Sequence, residues 1–93
     1  MLSLLSSTDV QLALRDQIKH QRKALKLSRN ALAERSTVPA PTIKRFEITG
    51  QISLRQFLLL WQTVDDLNRL HQLTRPASKV DKMPASIEEV LNG

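Results

Sequence analysis

No cysteine occurs among the 93 residues, which removes disulfides and thiolate metal sites and leaves nothing that argues for secretion. A reducing cytoplasm suits such a chain. Aromatic residues make up only 3% and glycines number two, so the β-branched and aromatic runs of a sheet protein are missing. Leu, Gln, Arg and Lys are abundant instead, and an all-α fold is expected. The opening MLSLLSSTD has no basic stretch, and serines soon interrupt its leucines, so it reads as neither signal peptide nor membrane span. His20 and His71 lie far apart with no cysteine between them, and no metal site is expected. There is also no glycine-rich loop, and the carboxylates are scattered, so no cofactor and no enzymatic activity are expected.

What is present is positive charge, and it sits in one block. The net charge is +5. Arg15, Lys19, Arg22, Lys23, Lys26, Arg29, Arg35, Lys44, Arg45 and Arg55 face only Asp16, Glu34 and Glu47 within that span. Beyond Arg55, acids slightly outnumber bases. Such a block attracts a polyanion, because each neutralised phosphate releases counterions. The alternative for a run of this kind is a solvated helix face.

The length has room for one compact domain with short tails. Residues 1–8 read as an N-terminal extension, 9–75 as the domain, and 76–93 as a linker with a short C-terminal helix. Polar Ser6, Ser7 and Thr8 precede Asp9, after which Val10, Leu14, Ile18 and Leu25 recur at helical spacing, predicting a first helix from Asp9 to Leu25. Ser28 is placed to cap a second helix, Arg29 to Ser36, whose inward side carries Ala31, Leu32 and the stem of Arg35. Pro39 and Pro41 fit the first turn of a third helix that buries Ile43 and Phe46 and stops at Thr49 and Gly50. Ser53 opens a fourth, over which Leu54, Phe57, Leu58, Leu60, Trp61 and Val64 wrap more than one face, as in a largely buried helix. A fifth starts at Asp65 and Asp66 and carries Leu67, Leu70 and Leu73; Pro76 closes the domain. Ala77 to Pro84 reads as a linker, and SIEEVLNG as a short helix with a Ser86/Glu89 capping box that needs a surface to dock on.

Two short helices joined by a tight turn, the second bearing Lys44 and Arg45 outward, form the geometry that inserts a helix into the major groove. The string LSRNALAERSTVPAPTIKRFEITGQISLRQFLLLW, Leu27 to Trp61, resembles the phage-repressor-like helix-turn-helix family. Leu27-Ser28, Leu32-Ala33, Val38, Thr42-Ile43, Glu47 and Ser53-Leu54 carry the likeness. The chain departs from the pattern at Ser36-Thr37, where an alanine-glycine turn is usual, and at Arg29, where glutamine often stands. The resemblance implies a five-helix lambda-repressor-like DNA-binding domain. VPAPTIKRFEITGQISL and the terminal SIEEVL are further similar to the HipB-type antitoxins that accompany HipA-type serine/threonine kinase toxins. That likeness implies a cytoplasmic, nucleoid-associated homodimer that represses transcription at palindromic operators near its own promoter and also holds the kinase.

Carried onto this chain, the repressor geometry turns Ala40, Pro41, Lys44 and Arg45 toward base edges or the nearby backbone. Arg45 suits bidentate contact with guanine, Lys44 suits guanine or phosphate, and Ala40 and Pro41 offer apolar contact to a thymine methyl. So sparse a polar readout leaves part of the discrimination to DNA deformability. Arg29 and Thr42 are expected against phosphates at helix N-termini, and Ser53 and Arg55 against the second strand. Lys19, Arg22, Lys23 and Lys26 are expected to supply only a nonspecific field. Glu47 and Trp61 read as structural. Two other functions stay open: a stand-alone phage- or plasmid-type repressor, and a protein-interaction module that holds its partner through Leu2, Leu4, Leu5 and the tail.

Overall fold

Helix boundaries follow from local capping chemistry. In the computed structural model, which describes residues 4–76, Ser6 and Asp9 form a reciprocal capping box: Asp9 N–H donates to Ser6 Oγ at 3.1 Å and Ser6 N–H to Asp9 Oδ2 at 3.0 Å. Helix α1 therefore runs Ser7–Ala24, starting two residues before the expected Asp9, which lies inside its first turn. Ser28 caps α2 (Arg29–Ser36) through Ala31 N–H at 3.0 Å, and Ser53 caps α4 (Leu54–Val64) through Gln56 N–H at 3.2 Å. Between them α3 (Ala40–Thr49) starts after Pro39 without a side-chain cap and ends on Gly50 at φ +79°. Asp66 caps the short α5 (Leu67–His71), which continues as a single 3-10 turn, Gln72–Thr74. The described residues are all-helical, five α-helices with no strand, and none of these helices is long and apolar enough to cross a membrane.

Helices α1 and α2 each pack on both α3 and α4. Ile18, Leu32, Ile43 and Leu60, one from each of the four, are wholly buried and meet at the centre with Val38 and Phe46. Each such side chain contributes on the order of 2 kcal/mol by leaving water. Phe46, Phe57 and Trp61 extend the core as edge-on and tilted rings, 6.1 and 5.8 Å between centroids. Trp61 donates its indole N–H to the Asp66 carbonyl at 3.0 Å, and Arg69 lies over its face, fastening α5 to α4.

The first stripe differs from the expected one. α1 ends at Ala24, and Lys26 takes a left-handed turn at φ +58°, so Leu25 is left exposed and Leu27 enters the core. Arg22, expected in a diffuse positive field, is buried instead. On α2 the inward partner of Leu32 is Ser36, while Arg35 is exposed. Leu54 and Leu58 face outward on α4, and Leu73 is exposed beyond α5. Leu2, the linker and the SIEEVLNG segment lie outside the described residues.

Candidate nucleic-acid interface

The turn that joins α2 to α3 consists of Thr37, Val38 and Pro39. Val38 plugs the core from below while Ser36 Oγ, itself buried, accepts the Val38 N–H at 3.1 Å. Thr37 adopts φ +67°, the left-handed region where a β-branched residue is strained and where the repressor-like pattern places glycine. The turn is thus held by a buried hydroxyl and a plugged valine, and it fixes the start of α3 against the start of α2.

At that junction Ser28, Arg29, Asn30, Ala40, Pro41 and Lys44 line one open cleft, with Arg22 at its floor. A second cleft on the other side of α3 is lined by Thr42, Arg45, Gln51, Ile52, Ser53 and Gln56. Lys44 on the first flank and Arg45 on the second are both exposed. Seven of the eight residues singled out from sequence therefore lie along the two flanks of α3. Arg55 is exposed on α4 but lines neither cleft. Asn30, Gln51 and Gln56 were not singled out, although Asn30 follows the α2 cap directly and the two glutamines bracket Ser53, positions where a polar side chain reaches whatever the cap faces.

The electrostatics of the site rest on Glu47. Its carboxylate is buried, accepts from Arg22 Nε and Nη2 at 2.7 and 3.1 Å, and accepts from Arg29 Nε at 2.9 Å. Arg22 also donates to the Leu27 carbonyl at 2.8 Å. Burial alone would raise the Glu47 carboxyl, but the hydrogen bonds and charges of Arg22 and Arg29 outweigh it and hold it below the usual carboxylate value. Two guanidinium groups share one carboxylate, so the cluster keeps a net positive charge. Arg29, with 40% of its side chain exposed, presents that charge to the first cleft.

The uncapped start of α3 adds to this field. Pro41 has no N–H to leave unpaired, whereas the amides of Ala40 and Thr42 belong to the open positive end of the helix. Ser53 is differently placed: its hydroxyl accepts from Gln56 N–H and pairs with Gln56 Oε1 at 3.2 Å, so it reaches an external acceptor only by exchanging that partner. Among the described residues, no group of three or more His, Cys, Asp or Glu stands close enough to hold a metal ion. No family model, no curated protein and no solved structure matches this chain.

Proposed function

We propose that the protein binds DNA sequence-specifically through a lambda-repressor-like helix-turn-helix formed by α2 and α3, with α3 laid in the major groove. The observation that carries this reading is the pair of clefts flanking α3, which gather Arg29, Lys44 and Arg45 beside a helix end open to anions, while the Glu47 carboxylate behind them is buried and doubly paired. Arg45 reads base edges, Lys44 reaches a guanine or a phosphate, Ala40 and Pro41 contact thymine methyls, and Arg29, Thr42, Ser53 and Arg55 hold phosphates. A single recognition helix spans one half-site, so the protein acts as a homodimer on palindromic operators.

The likeness of VPAPTIKRFEITGQISL and SIEEVL to HipB-type antitoxins supports the narrower role of autorepressor and partner of a HipA-type kinase toxin, working in the cytoplasm. The exposed Leu54, Leu58 and Leu73 favour a second reading, a protein-interaction module in which the helical pair is only a scaffold.

Titration with the duplex upstream of the protein's own coding region, beside a scrambled duplex at the same salt, separates the two. Specific recognition gives at least a roughly thousandfold preference for the upstream duplex. Equal binding of both leaves the interaction module as the function.

A further inference from the structure

Helices α4 and α5 leave an apolar groove between them on a face separate from the two clefts. Leu54, Leu58, Leu67 and Leu70 form its walls, with His71 and Thr74 at the rim. Leu54 is 73% exposed, although it sits in a helix whose other face is core. The groove opens to solvent and holds about 510 Å³, room for several side chains. Among the described residues no carboxylate lines it, and Arg75 follows Thr74 directly.

The sequence supplies a matching occupant. Ile87, Val90 and Leu91 are spaced as one side of a helical turn, and Glu88 falls at its edge. Their apolar set matches the leucines, and the Glu88 carboxylate beside them matches the Arg75 end of the groove. The chain leaves the groove's own rim at Thr74, and the stretch 77–86 that separates Pro76 from Ile87 reaches at most ~35 Å when extended, more than enough to return. A tether that short holds the segment at an effective concentration on the order of millimolar, so a weak intrinsic affinity suffices. We infer that Ile87, Val90 and Leu91 of the same chain seat in the Leu54/Leu58/Leu67/Leu70 groove and cover this face. The inference stands apart from DNA binding, since none of its residues lines either cleft.

The absence of native cysteine allows a single nitroxide at Asn92→Cys on the full chain, read through the methyl resonances of the groove leucines. Docking predicts that Leu58, Leu67 and Leu70 lose most of their intensity, unchanged on dilution, and regain it when I87D, V90D and L91D are added. Full intensity in the labelled wild-type background overturns the inference. So does broadening that fades on dilution and reappears when label and methyl isotopes are on different copies, which makes the occupant a second chain. Broadening confined to the Lys44 and Arg45 side overturns it as well.

Discussion

Arg22 and Glu47 meet through a two-pronged, buried ion pair that ties α1 to α3, with nitrogen-to-oxygen distances of 2.7 and 3.1 Å. Breaking one side of such a pair leaves an uncompensated charge, whereas replacing both by apolar groups of similar volume removes the need for it. Glu47→Gln is expected to cost about 3–5 kcal/mol in urea unfolding, and the double variant R22M/E47M to recover most of that loss. Equal destabilisation by the single and double variants would show that packing, and not charge, holds the two helices.

The same pair makes stability depend on pH at the acid end. Glu47 has a folded value below its ordinary 4.5, so its stabilisation is complete above that value and is lost as pH falls through the folded value. Thermal melts are expected to show stability dropping below about pH 4.5 in the wild type, with a shallower acid limb in Glu47→Gln. An identical slope in both would assign acid unfolding to other carboxylates.

Thr37 stores strain that glycine would relieve. A left-handed backbone costs an ordinary residue about 1–2 kcal/mol, partly offset by the extra unfolded-state freedom of glycine. Thr37→Gly is therefore expected to stabilise the fold by up to about 1 kcal/mol, seen as a higher midpoint in thermal unfolding, with DNA affinity unchanged. A lowered midpoint would mean that the Thr37 hydroxyl bond to the Ser36 carbonyl outweighs the strain.

Lys44 and Arg45 are neighbours with different expected signatures. Arg45→Ala should lose about 1–3 kcal/mol of the preference for operator over scrambled duplex. Lys44→Ala, where Lys44 contacts phosphate, should weaken both duplexes alike and lower the slope of log affinity against log salt by about one. Competition binding across a salt series distinguishes them, and reversed behaviour would exchange their roles.

The all-helical fold was legible in the sequence because its punctuation is chemical: Ser28, Ser53 and Gly50 act within a turn of where they stand. Ile43, Phe46 and Trp61 were likewise readable as core from spacing. The fate of Arg22 was not, since its partners Glu47 and Leu27 are brought to it by the packing of α3 and by the left-handed turn at Lys26. Periodicity also placed Leu54 and Leu58 in a buried helix, but among the described residues α5 covers their side of α4 only in part. Of the candidate site, the charged residues were visible as a block; their division between two clefts, and the restraint of Arg29 by Glu47, required three helices to be in place.

The only tryptophan in the chain is pinned at its nitrogen by the Asp66 carbonyl and roofed by the Arg69 guanidinium, and it lines neither cleft. Its emission is consequently a built-in optical gauge of the corner between α4 and α5. A reddening of that fluorescence marks the indole's release to solvent, so the integrity of the fold can be followed without dye or tag while nucleic acid is titrated against α3.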